Sequence, residues 1–225
     1  MSIAASEESR RKLAFISSER RRDMKCKILH MDTKRARIAR TVAVSPRQQE
    51  IIIGSLLGDG HLAQTTRGFA FRANHSVAQS EYAKWKYKEL ENLTNSAPNL
   101  YRDESIYFRT VSHGFFDMLR QIFYVGAKKI IPSDIASWIT PLSFSVWFMD
   151  DGSHDGKQLR INSQSFSYEE NETLADVLDA TLGIQATINR DKQYYRLRIR
   201  DESVPIVRKL IIEHGIPSVH YKIFP

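Results

Sequence analysis

The sequence predicts an α+β protein made of two similar halves, related by an approximate two-fold axis and joined in one chain. Three observations predict it. A short device occurs twice, IIIGSLLGDGH around Asp59 and SFSVWFMDDGS around Asp151, each an apolar helix-like run that ends in a carboxylate and a glycine. Each copy is followed by a polar stretch, a strand carrying Arg-x-Asn, and a helix. The 225 residues suffice for two intimate halves, and a 42% hydrophobic, 10% aromatic composition supplies a core rather than a disordered chain.

Taken in order, residues 1–45 form a basic N-terminal extension, 46–127 the first half, 128–140 a linker interrupted by Pro132, and 141–225 the second half. In the first half the motif run leads to a strand over 69–76, a helix over 81–93, a strand over 105–112 and a helix over 113–124. In the second, the matching run leads to a strand over 157–165 and a helix over 168–182. Strands over 184–190 and 194–200 follow, joined by a turn at Asp191-Lys192, and then a helix over 203–215 closed by Gly215. Gly54 and Gly58 are four residues apart, so they share one helical face and permit close backbone approach. The matching places in the second copy hold Val146 and Asp150, so the contact between the two motif helices is expected to be asymmetric. Gly60 and Gly152 fit the left-handed position that closes a helix.

Charge is unevenly placed. Residues 1–45 hold 12 Lys/Arg and 5 Asp/Glu, whereas residues 46–225 hold 21 of each, so the whole excess of +7 lies in the N-terminal fifth. That segment reads either as a solvated tail or as an arm on phosphate backbone. The single cysteine, Cys26, excludes an intrachain disulfide and leaves a cysteine zinc site without ligands. No run approaches the ~20 apolar residues of a membrane span, and no apolar signal region opens the chain. An intracellular site is expected, in a bacterial cytoplasm or nucleoid or an organelle matrix.

Period-two alternation places Arg72 and Asn74 on one strand face, Arg160, Asn162 and Gln164 on another, and Arg196, Arg198 and Arg200 on a third. Such side chains make paired contacts to base edges in the major groove, which admits a β-ribbon. These faces are expected to be free of Asp and Glu and to meet double-stranded DNA.

A carboxylate at a helix C-terminus faces the negative end of the macrodipole, at a cost of a few tenths to ~1 kcal/mol. Two such placements point to a shared cation. Asp59 and Asp151, brought together by helix packing, would be its ligands, with backbone oxygens of Gly58 and Asp150 added; Asp151 rather than Asp150 aligns with Asp59 on the following glycine. Hard oxygen ligands suit Mg²⁺, with Mn²⁺ tolerated. Held divalent ions serve phosphodiester hydrolysis.

The two motifs resemble the LAGLIDADG motifs of homing endonucleases, and the second half is similar to the single-chain, intron-encoded branch. The resemblance is carried by KKIIP (128–132), TPLSFSVWFMDDG (140–152), NSQSF (162–166) and HYKIFP (220–225), and covers residues 46–225. It implies two αββαββα-like halves forming a saddle over DNA, monomeric action, Mg²⁺-dependent cutting of both strands of a long target, and short 3′ overhangs. It implies Asp59 and Asp151 as metal ligands, and Lys129 and Lys222 as active-site bases or charge stabilisers, with Lys128 an alternative to Lys129. Three functions compete: a homing endonuclease, an RNA maturase acting on its host intron RNA, and a non-catalytic DNA-binding regulator. The paired acids and lysines place cleavage first.

Overall fold

The computed structural model describes residues 33–156 and 158–224. The basic runs of the extension at 10–12 and 20–22, with Lys25 and Lys27, lie outside the described residues. What can be placed of the extension is not free-standing. Helix α1 (Lys34–Ala39), capped by the Thr33 hydroxyl, buries Ala36 and Ala39 beside Val111 of the first half. Arg35 Nε donates to the Thr94 carbonyl at 3.1 Å.

The motif helices are α2 (Pro46–Leu57) and α5 (Pro141–Asp151). Both begin with the same chemistry: a hydroxyl N-cap, Ser45 or Thr140, and a proline at the first turn. A capping box closes each start, with Gln48 or Ser143 reaching back to the cap amide. α5 is buried from Leu142 to Asp150 and α2 from Ile51 to Leu57, while the polar first turn of α2, with Arg47 exposed, reaches the surface; the buried stretches suit helices that pack at the centre of a body.

Each motif helix leads into a four-stranded antiparallel sheet of the same connectivity. The first comprises β1 (His61–Thr65), β2 (Gly68–Ser76), β3 (Asn99–Tyr101) and β4 (Ser105–Arg109), in the order β1-β2-β4-β3. The second comprises β7 (Gly152–Asp155), β8 (Gln158–Ile161), β9 (Ala186–Asp191) and β10 (Tyr194–Ile199), in the order β7-β8-β10-β9. A hairpin of β5 (Tyr124–Val125) and β6 (Lys128–Lys129) lies between them. The remaining helices are α3 (Ser80–Glu89) and α4 (Gly114–Phe123) in the first half, and α6 (Tyr168–Leu182) and α7 (Val204–His214) in the second. One continuous apolar core draws on both halves, including Leu56, Phe71, Phe116, Trp147, Leu174 and Ile211. Among the described residues no helix is long and apolar enough to cross a membrane.

Two readings of the residue pattern need correction. The polar stretches after the motifs contain β1 and β7, and the short β3 follows α3, strands that the pattern does not mark; with them each half has the αββαββα order that the resemblance implies. Gly60 and Gly152 are not in the left-handed region; Gly152 has φ −68° and Gly60 is not among the positive-φ glycines. They are glycines because space is short: a Cβ on Gly60 would sit 2.8 Å from the Phe71 ring, and one on Gly152 2.3 Å from the Phe148 carbonyl. Gly215 does cap α7, in an extended conformation.

The asymmetric helix contact is as expected. A Cβ on Gly54 would lie 2.2 Å from the Ser143 carbonyl and 2.7 Å from Val146 Cβ, and one on Gly58 would lie 2.5 Å from Asp150 Cβ. The backbone of α2 therefore meets the backbone of α5 at Gly54 and the Asp150 side chain at Gly58. Gly54→Ala should lower stability by about 1–3 kcal/mol through overpacking, read as a lower urea midpoint at unchanged slope. Gly114→Ala, where a Cβ would meet nothing within 4 Å, should stay within about 0.5 kcal/mol.

Candidate active site at the motif-helix ends

Close packing of α2 against α5 brings their C-terminal ends side by side. Asp59 follows the cap residue Gly58, and its side chain is 47% exposed. Asp151 is the last residue of α5. Between them lies the fully buried carboxylate of Asp150, whose Oδ2 accepts from the Asp59 amide at 3.3 Å.

A lysine stands at each helix end. Lys129, carried by β6, donates from Nζ to the carbonyls of Gly58 at 2.8 Å and Gly60 at 3.0 Å. Lys222, near the C-terminus, donates to the carbonyls of Met149 and Asp150, both at 2.6 Å. The geometry separates the two lysines that the sequence left open, for Lys128 points to solvent with Nζ 4.0 Å from Glu170. A lysine at a helix C-terminus neutralises the negative end of the macrodipole and binds its unpaired carbonyls. The carbonyls of Gly58 and Asp150, expected as backbone ligands, are thus both engaged by ammonium groups here.

A third lysine was not foreseen. Lys86 of α3 is fully buried and donates to both Asp150 oxygens, at 2.6 and 2.9 Å. Its Nζ lies 4.5 Å from the centroid of the Tyr82 ring. In the sequence it alternates with Lys84 and Lys88 on a polar helix, and nothing local distinguishes it from them. His75 was also missed. It faces inward from β2, with Nδ1 3.9 Å from Asp59 Oδ2.

Electrostatics mark the cluster as charge-crowded. Burial, then the charges of Asp150 and Asp59, push the Asp151 carboxyl up to about 8. Burial, then Asp150, also raises Asp59, against the opposing pull of Lys86, Lys222 and Lys129. Burial pulls Lys129 and Lys222 down from the usual lysine range, opposed by the three aspartates. Burial, then Lys86, lowers His75 to about 4. Crowded carboxylates that hold protons this readily are short of positive charge, which fits a seat for a divalent cation. The ligand atoms of Asp59, His75 and Asp150 lie within 4.8 Å of one another.

The strand residues divide. Arg72 lies with its guanidinium 5.0 Å from the Tyr107 ring, and Asn74 is exposed beside it on β2. Arg72, Arg109, Tyr107, Asn99 and Asn95 line one groove of the first half, which contains no acidic residue. The second face departs from the expected absence of acids. Arg160 pairs with Asp155 at 2.9 Å, Arg196 with Asp191 at 3.7 Å and Arg198 with Asp201 at 3.2 Å. Gln164 donates to Asp191 at 2.9 Å. Arg200 is exposed just beyond the end of β10. Asn162 is drawn away from the face altogether, since its Nδ2 donates to the Asp151 carbonyl at 2.9 Å and braces the motif end. His113 is structural: its Nδ1 accepts from the Phe115 amide and caps α4.

Comparison with known proteins agrees with this arrangement. Residues 49–207 match the LAGLIDADG DNA endonuclease family. The chain is 30% identical over 198 residues to the cytochrome b mRNA maturase bI2 of Saccharomyces cerevisiae, covering 77% of this chain and 46% of that protein. It is 28% identical over 196 residues to an intron-encoded endonuclease of Wickerhamomyces canadensis, covering 80% of this chain and 85% of that one. It therefore spans about half the length of some of its curated relatives, such as the S. cerevisiae maturase. Among solved structures, the homing endonuclease I-WcaI bound to its DNA recognition sequence superposes with a TM-score of 0.78 at 26% identity, covering 86% of this chain and 94% of that chain. That likeness bears out the two-half saddle that the resemblance implies. The matched motifs, the duplicated sheets and the paired helix ends make this chain a member of the LAGLIDADG DNA endonuclease family.

Proposed function

We propose that this chain is a site-specific, monomeric homing endonuclease. It cuts both strands of a long DNA target, leaves short 3′ overhangs and promotes mobility of its host intron. The observation that carries the reading is the pairing of two motif ends, each with an aspartate and a lysine, inside one electrostatic cluster. Asp59 and Asp151 would hold the divalent ions, Mg²⁺ with Mn²⁺ tolerated, with the backbone oxygens of Gly58 and Asp150 alongside. Bound there, a divalent ion supplies Lewis acidity at the phosphate.

The chain's own groups do the rest. Lys129 and Lys222 hold positive charge, fixed by two carbonyls each, where negative charge develops on the phosphoryl oxygens. Donors held in place before the reaction need no reorganisation during it. Asn162 fixes the carbonyl of Asp151 and so the direction of its carboxylate. Arg72, Asn74, Arg160, Gln164, Arg196, Arg198 and Arg200 face the duplex, where guanidinium and amide groups read base edges and phosphates. The superposition on a DNA-bound relative supports that orientation.

A second reading, an RNA maturase, is favoured by one observation: relatives at 30% and 27% identity are named mRNA maturases. It would use a basic surface apart from the cleavage site, so splicing of the host intron RNA would survive loss of the aspartates.

The test uses a plasmid carrying the junction formed when the gene's own intron is removed. Asp59→Asn and Asp151→Asn should each lower double-strand cleavage in Mg²⁺ by at least about 10²–10³-fold, while a gel-shift Kd changes less than about threefold. Wild-type cutting of both strands by either variant would remove the site assignment. Lys129→Met and Lys222→Met should behave alike, with binding kept. Removing residues 1–32, which hold eight Lys/Arg and five acids, should weaken binding to all sequences and reduce the slope of log K against log salt. An unchanged slope would make that segment a passenger.

A further inference from the structure

The buried Lys86–Asp150 pair is left over by the catalytic reading. Lys86 belongs to α3 of the first half and Asp150 to α5 of the second, and both side chains are wholly excluded from solvent. The ammonium is held from three sides. It donates to both carboxylate oxygens and lies over the Tyr82 ring. The Tyr82 hydroxyl in turn donates to the Val146 carbonyl, one turn before Asp150 on α5. The Asp150 side chain fills the space that Gly58 leaves by having no side chain, its Cβ 2.5 Å and its carboxylate Oδ2 2.8 Å from where a glycine Cβ would be. There it accepts from the Asp59 amide. A line of contacts therefore runs from α3, through the second half's motif helix, and back to the first half's acid.

The second half has no counterpart. Helix α6, which takes the place of α3, carries no Lys or Arg between residues 168 and 182. The residue at Asp150's place in the first motif is Gly58, which offers no side-chain acceptor to the Asp151 amide. A buried ion pair gives stability no better than apolar packing would. What this pair adds is a fixed acceptor beneath one acid and not beneath the other.

We propose that Lys86 is a positioning residue for the first motif acid alone. It fixes the Asp150 carboxylate under the Asp59 amide, and so makes the cut on one DNA strand depend on it while the other does not. This rests on the endonuclease reading above, with one step added to it: Asp59 and Asp151 each serve one strand.

The experiment follows the two strands separately, on a duplex of the same junction labelled at each 5′ end, under single turnover in Mg²⁺. Asp59→Asn and Asp151→Asn identify which strand belongs to which acid. Lys86→Met removes the ammonium and keeps the stem. Lys86→Met/Asp150→Asn also removes the charge that Lys86→Met would leave buried, so the fold is kept, as circular dichroism melts would confirm. Both should cut the Asp59 strand about tenfold more slowly, less than the ~10²-fold of a full 1 Å misplacement, and Lys86→Met should leave the Asp151 strand within about twofold, so that nicked product accumulates. Equal slowing of the two strands in folded Lys86→Met, or no slowing of the Asp59 strand in the folded double variant, overturns the proposal. If the two asparagine variants fail to separate the strands, the one-acid-per-strand reading falls and the proposal with it. If they separate them and the Lys86 variants do not, only the proposal falls.

Discussion

The chemistry at the centre of this protein depends on how closely two helices approach. α2 and α5 touch through backbone at Gly54 and through a side chain seated against Gly58. With an ordinary side chain at either glycine the helix ends would stand further apart. Glycine in a helix costs roughly 0.5–1 kcal/mol relative to alanine, and that cost is offset by burial of residues 51–57 of α2 and 142–150 of α5. The capping boxes at their starts fix where each helix begins. Helix length then fixes where each aspartate falls. The site is thus set by spacing along two helices and one contact between them, rather than by loops.

The contact creates an electrostatic problem that the surrounding chain answers. Three carboxylates gather where two macrodipoles present their negative ends. Three lysines converge on them, from α3, from β6 and from the C-terminal segment. They do different work. Lys129 and Lys222 bind backbone carbonyls and leave the acids Asp59 and Asp151 unneutralised by direct contact. Lys86 takes Asp150 into a closed pair. That division singles out Asp59 and Asp151 as the acids left with a deficit of positive charge, and Asp151, more deeply buried, shows it more strongly.

Much of this could be read from the chain, and the remainder has identifiable physical causes. The motif helices, the helix over residues 168–182 and the turn at Lys192, with its φ of 58°, follow from periodicity, caps and turn chemistry. β1 and β7 were hidden because HLAQT and GSHD lack the β-branched and aromatic alternation that marks a strand. Their pairing to β2 and β8 supplies the stability that local preference does not. Lys129 and Lys222 were reachable only through the resemblance, since their partners are carbonyls 71 and about 72 residues away. Lys86 was not reachable at all. A helix reading EYAKWKYKEL puts its lysines on a solvated face, and only the tertiary partner Asp150 turns one of them inward. Period two does put Arg72 and Asn74 on the less buried face of β2, and it misses the acids of the second sheet, where β7, β9 and the turn after β10 bring Asp155, Asp191 and Asp201 to the arginines.

Those arginine pairs bear on how the two faces would treat DNA. Half-exposed ion pairs are worth little, about 0–1 kcal/mol, so exchanging a carboxylate for a phosphate or a guanine edge costs little. Yet each exchange leaves an acid near the duplex, and an acid beside phosphate is repelled unless a donor such as a cytosine amino group meets it. A face of paired arginines is therefore selective: it tolerates only sequences whose edges satisfy both members of the pair. The first face, with Arg72 laid against Tyr107 and no acid in its groove, carries no such penalty. On the proposed reading, the first half would supply the larger share of sequence-independent attraction and the second the larger share of discrimination, an inequality written into the acids of the second sheet rather than into its arginines.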